Sequence, residues 1–153
     1  MASVSAIGAL QDLYDTLSFA TKPAKLWVDG VPIKDSTTAT NLPTAELLDL
    51  GMTVDYDFEQ NPIEKTTVNV IIRATTLFAA DTIAAGIRYN GSAPTANAGF
   101  DFATLATFPL TGQTLLECLR VGEQRNREPY DSKTGDPVYR VTMTYEITPL
   151  RTA

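Results

Sequence analysis

From residue 46 to residue 58 apolar and polar side chains alternate. Leu48, Leu50, Met52, Val54, Tyr56 and Phe58 occupy one set of positions, and Asp49, Gly51, Thr53, Asp55 and Asp57 the other. Successive residues of an extended chain face opposite sides of a sheet. The spacing therefore predicts one long strand, apolar on one face and acidic on the other. The pattern returns near the end of the chain, where Tyr139, Val141, Met143, Tyr145 and Ile147 alternate with Arg140, Thr142, Thr144 and Glu146. Residues 65–74 are rich in β-branched side chains, with Val68, Val70 and Ile72 sharing a face, and read as an antiparallel partner of the long strand. Residues 113–124 read as a further strand, and polar residues 125–136 as the projecting tip of a hairpin with the last strand. Strands with one apolar and one polar face describe a sheet packed on one side only.

Two segments change period. Ile7, Leu10, Tyr14 and Leu17 recur at helical spacing, so a helix is expected over about residues 4–19, capped by Ser3 or Ser5 and ended by Thr21-Lys22-Pro23. A second helix is expected after Thr75 or Thr76, burying Ala80, Ile83, Ala84 and Ile87, with Gly91 as its stop. Asp29-Gly30 lies between Lys25-Leu26-Trp27-Val28 and Val31-Pro32-Ile33, which signals a short hairpin whose second arm Pro32 confines to an edge. Trp27 fits either a core or a contact position. Residues 34–41 are a polar loop, and residues 91–99 are small and uncharged. Residues 100–110, with Phe100, Phe102, Leu105, Phe108 and Leu110, fit either a strand or a short helix. The expected fold is α+β: an antiparallel sheet with two helices packed on one face, plus a short N-terminal β-hairpin, in a single domain over residues 1–153.

Composition narrows the chemistry. The chain has 153 residues, no histidine, one cysteine and a net charge of −6. Without histidine it lacks the commonest general base and metal ligand. Cys118 has no partner for a disulfide within the chain and no histidine to activate it, and reads as a packed, inert thiol. The acidic balance argues against binding nucleic acid along a basic surface. No apolar run approaches the ~20 residues of a membrane span, and the first residues lack the basic region of a signal peptide, so synthesis in a cytoplasm is expected. Residues 131–136 lack the spacing of a calcium loop, and neither a phosphate-binding glycine loop nor a Gly-x-Ser-x-Gly elbow is present. Asp49, Asp55 and Asp57 read as a solvated acidic face or, more sharply, as a surface facing a channel. No catalytic residue, metal or cofactor is expected.

The order of elements and several local sequences resemble the tail terminator (tail completion) proteins of long-tailed bacteriophages, over nearly the whole length. The shared features begin with an N-terminal helix followed by Val28-Asp29-Gly30-Val31-Pro32. A long strand then follows Leu42-Pro43, and a strand runs into a helix over residues 68–87. Last, an Arg-rich turn leads into Gly135-Asp136-Pro137-Val138-Tyr139-Arg140-Val141. The resemblance implies a non-enzymatic virion protein, assembled in the host cytoplasm. It would form a six-membered ring that caps the tail tube and joins it to the head connector. DNA would pass through the central hole without specific binding. On this reading Asp49, Asp55 and Asp57 face the channel. Gly91, Gly99, Arg125, Arg127, Tyr130 and Asp131 lie on interface loops that become ordered on assembly. The long segment 91–99 departs from the family pattern and leaves open another head–tail joining or neck ring protein. A binding module using its sheet edge and an enzyme using carboxylates alone are the remaining alternatives.

Overall fold

Five strands and two helices account for most of the computed structural model, which describes residues 6–31, 42–56, 58–60, 62–91, 99–102, 113–128 and 137–151. Helix α1 spans Ala6–Thr16 and α2 spans Leu77–Tyr89; the strands are β1 Leu26–Val28, β2 Thr44–Tyr56, β3 Pro62–Ala74, β4 Gln113–Glu128 and β5 Val138–Arg151. Phe100–Phe102 form a single 3-10 turn, and the rest of the 100–110 stretch lies outside the described residues.

Helix α2 follows its sequence signals closely. Thr76 is extended, and its hydroxyl accepts a hydrogen bond from the Ala79 amide at 3.1 Å. Ala80, Ile83, Ala84 and Ile87 are buried. The helix stops at Asn90 rather than Gly91: Asn90 takes the left-handed conformation at φ 56°, and its amide donates to the Gly86 carbonyl. The Asn90 side chain accepts from the Ser18 amide at 2.8 Å and so holds the segment after α1. On α1, Leu10, Leu13 and Tyr14 are buried, as is Leu17 just past its end, and the Tyr14 hydroxyl donates to the Pro23 carbonyl at 2.6 Å.

The strand order is β1-β2-β3-β5-β4. Three of the four pairings are antiparallel; β1 runs parallel to β2, with Leu26 beside Ala45. The sheet is therefore mixed, and the described residues do not clearly show the expected hairpin. Asp29 holds β1 in its parallel seat. Its amide donates to the Leu47 carbonyl at 2.8 Å and its carboxylate accepts from the Asp49 amide at 3.1 Å, fastening β1 to β2. Val31 belongs to no strand, and Pro32 and Ile33 lie outside the described residues.

Both helices pack on one face of the sheet. That face contributes Ala45, Leu47, Val68, Val70, Ile72, Val141, Met143, Tyr145 and Ile147 to one apolar cluster with the helices. The faces expected for β3 and β5 are the buried ones. The face expected for β2 is not. A bulge at Leu50 separates the pairs Asp49–Val68 and Gly51–Thr67, and Gly51 adopts φ 105° there. One extra residue exchanges the two faces of a strand. Before the bulge Ala45 and Leu47 oppose Ile72 and Val70 in the core, and Leu48 opposes Asn69 on the far face. After it, Met52, Val54 and Tyr56 oppose Thr66, Glu64 and Pro62 on the helix side.

Candidate interaction surface

Past the bulge the helix layer ends but the strands continue. β5 pairs with β3 only over Thr66–Ala74, so Thr53–Tyr56 and Pro62–Lys65 form an arm two strands wide. Its apolar side chains are left largely uncovered by the described residues. Met52 is 54% exposed, Val54 44%, Tyr56 66%, and Phe58 at the turn is fully exposed. A contiguous apolar strip of this kind marks a binding surface far better than scattered exposed residues do. The arm also carries Asp55, Glu59 and Glu64, and one basic residue, Lys65, which pairs with Glu146 at 3.6 Å.

The bulge also separates the acidic residues expected to face a channel. Asp49 opposes Val68 on the helix side, whereas Asp55 opposes Ile63 on the far side. They do not share a face. Asp49 is engaged locally, accepting from the Gly51 amide at 2.8 Å across the bulge. Asp57 lies outside the described residues.

The expected interface loops fare unevenly. Arg125 and Arg127 are in strand β4, not in a loop, opposite Val141 and Tyr139. Tyr130 and Asp131 lie outside the described residues. Gly91 follows the cap of α2. Gly99 is buried, and a methyl group there would overlap the Arg88 carbonyl, so in the subunit it serves close packing.

Periodicity did not reveal the charged layer that joins α2 to β4. The helix-side positions of β4 are Cys118, Arg120, Glu123, Arg125 and Arg127. Glu123 accepts from Arg88 of α2 and from Arg125 at 2.9 Å, and Arg125 also donates to Asp81 of α2 at 2.8 Å. Arg120 binds Asp101 at 3.1 Å, and the Tyr145 hydroxyl donates to the same carboxylate at 2.6 Å. Burial, and then that hydrogen bond, raise the Tyr145 phenol above its ordinary value. Among these groups Arg88 and Glu123 are mostly buried, whereas Arg125 and Asp81 are 43% and 38% exposed.

Cys118 is buried, with Sγ 3.7 Å from the Phe100 carbonyl. Burial, and then the charge of Asp101, push its thiol from 9.0 up to about 12. The thiol is protonated in the fold. The stability tied to that state is complete below pH 9.0 and is lost as pH rises toward 12. Iodoacetamide at pH 8 should leave native protein unmodified and label it fully in denaturant. Rapid labelling of the native protein would contradict the inert assignment.

Helix α2 and the segment after α1 enclose a mostly apolar groove of about 590 Å³, lined among others by Phe19, Phe78, Ala85, Gly86 and Gly91, with Asp81 beside them. Phe19 lies so close over Gly86 that a methyl there would overlap the ring. Phe78 is 82% exposed. The sequence signal for this groove was Leu77-Phe78, two large apolar residues off the buried stripe of α2.

Among the described residues no group of three or more His, Cys, Asp or Glu side chains could hold a metal ion, and no helix is long and apolar enough to cross a membrane. A scan against protein-family models finds no match, and a search of curated proteins finds none.

Proposed function

We propose that this chain is a structural ring subunit at the joint between the tail tube and the head connector of a long-tailed bacteriophage, of the tail terminator kind. The observation that carries the reading is the two-stranded arm. An isolated subunit that leaves Met52, Val54, Tyr56 and Phe58 in water gains by covering them. Repeated association through one arm on each subunit makes a closed ring when the rotation between neighbours closes. The order of sequence features over nearly the whole chain supports the particular class. The net charge of −6 suits a hole that DNA passes without sticking. Asp49 and Asp55 face opposite sides of β2, so this reading assigns the channel to no set of three aspartates on one strand face.

Sedimentation and electron microscopy of the purified protein at micromolar concentration, alone and with tail tubes, test the proposal. Six-membered rings, or rings seated on tube ends, are the expected result. A chain that stays monomeric and ignores tube ends overturns it.

A further inference from the structure

We propose that Asn90-Gly91, at the end of α2, is a modification site: the Asn90 side chain deamidates through a succinimide, and the fold keeps the site closed until the end of the helix opens. Nothing in this depends on the ring reading. Three observations carry it. First, Asn90 is the only asparagine of the chain that is followed by glycine. The nitrogen that attacks an asparagine side chain belongs to the next residue, whose Cβ normally hinders it, and Gly91 has none. Second, the reacting atoms are held apart in the folded subunit. Asn90 takes φ 56° and ψ 39°. At that ψ an L-residue places the next nitrogen nearly anti to its own Cβ, whereas closing the five-membered ring needs the two on the same side. The Asn90 amide donates to the Gly86 carbonyl at 2.7 Å and its Oδ1 accepts from the Ser18 amide at 2.8 Å, which fixes main chain and side chain together. Third, these restraints sit at a helix terminus, and the bond to Ser18 is exposed. Such ends open locally at far lower cost than the whole fold.

Once the end of α2 opens, the Gly91 nitrogen gives its proton to solvent and bonds to Asn90 Cγ, and the side-chain nitrogen leaves as ammonia. Water then opens the ring. Breaking the new bond to Cγ leaves aspartate. Breaking the original bond to the main-chain carbonyl leaves isoaspartate, with the main chain running through Cγ. One water is consumed, one ammonia is released and nothing is oxidised or reduced. Aspartate puts a negative charge at the C-terminus of α2, where the helix dipole disfavours it. Isoaspartate lengthens the main chain by one carbon and cannot keep the left-handed cap that ties Ser18 to α2.

Peptide mass spectrometry tests the site, with the full chain held at pH 8 either folded or in guanidinium. Conversion should be fastest at Asn90 among the asparagines, and roughly tenfold or more faster in denaturant than in the fold. Gly91→Ala should melt like the parent, because a methyl there meets nothing within 4 Å and Gly91 does not occupy the left-handed region. The same variant should slow conversion in denaturant by roughly tenfold or more, since the added Cβ hinders the attacking nitrogen. In folded protein that carries the modification, the Ser18 amide should exchange its hydrogen faster than in unmodified molecules. Conversion in denaturant no faster at Asn90 than at other asparagines, or untouched by Gly91→Ala, overturns the site. Equal rates in the fold and in denaturant overturn the closure by the left-handed cap. Unchanged exchange at Ser18 in modified protein overturns the release of the segment after α1.

Discussion

Val141→Asp should leave the protein largely unfolded at room temperature, whereas Val54→Asp should melt close to the parent. The two positions look equivalent along the chain: each is a valine in the middle of an alternating apolar run. Val141 is fully buried, stands opposite Ile72 and belongs to the single apolar cluster under the helices. A carboxylate there is cut off from water, and Arg125 on the neighbouring strand is already held by Asp81 and Glu123, so it either stays charged without a partner of its own or takes up a proton. Either outcome removes roughly 4 kcal/mol or more, a large share of the ~5–15 kcal/mol that separates folded from unfolded domains. Val54 is 44% exposed on the arm, where a charge remains hydrated, and the expected change is within about 0.5 kcal/mol. Circular dichroism melts of both variants check the pair. Equal destabilisation would mean that the arm is packed in the subunit. By the ring reading, Val54→Asp on the exposed arm should lower association even though the fold survives.

Glu123→Ala should produce the second large loss, about 2–4 kcal/mol. The Glu123 carboxylate accepts from Arg88, both side chains being mostly buried at 16% and 13% exposure. Removing it strands the Arg88 guanidinium at a helix–strand contact where water is scarce. The same carboxylate binds Arg125, but that arginine is 43% exposed and solvent screening leaves it a small share. Arg88→Met together with Glu123→Leu should recover most of the loss, because the charge and its partner leave together and apolar groups fill the space. Denaturant unfolding of the single and double variants reads this directly. A loss below about 0.5 kcal/mol for Glu123→Ala would show that the charged layer is solvated rather than structural.

Much of this fold was legible from local pattern. The buried stripe of α2 and its Thr76 cap depend on neighbours within one or two turns, so spacing and hydroxyl placement determine them. The buried faces of β3 and β5 follow from uninterrupted alternation of large apolar residues. The inert Cys118 followed from the company it keeps in the sequence. For β2 the same logic failed at one residue. Leu50 is the extra residue of a bulge, and Gly51 at φ 105° is the only local sign of it. Alternation continues across a bulge while the faces exchange, so no reading of periodicity separates Asp49 from Asp55.

Burial depends on more than which face a residue takes. Met52, Val54 and Tyr56 do point to the helix side, yet they stay exposed, and past Thr66 strand β5 no longer pairs with β3 but runs on beside β4. Where a layer ends is set by the lengths and packing of distant elements. The parallel seat of β1 against β2 is likewise a long-range contact, made through the Asp29 side chain. The groove beside α2 exists only because Asn90 holds Ser18 and Phe19 fits over Gly86, residues 72 and 67 positions apart in the chain. The sequence by itself determined the class of fold, the core faces of three elements and the surplus of acid. Tertiary structure alone decided which apolar residues face water and which carboxylates share a surface, because both are set by register and layer boundaries and not by composition.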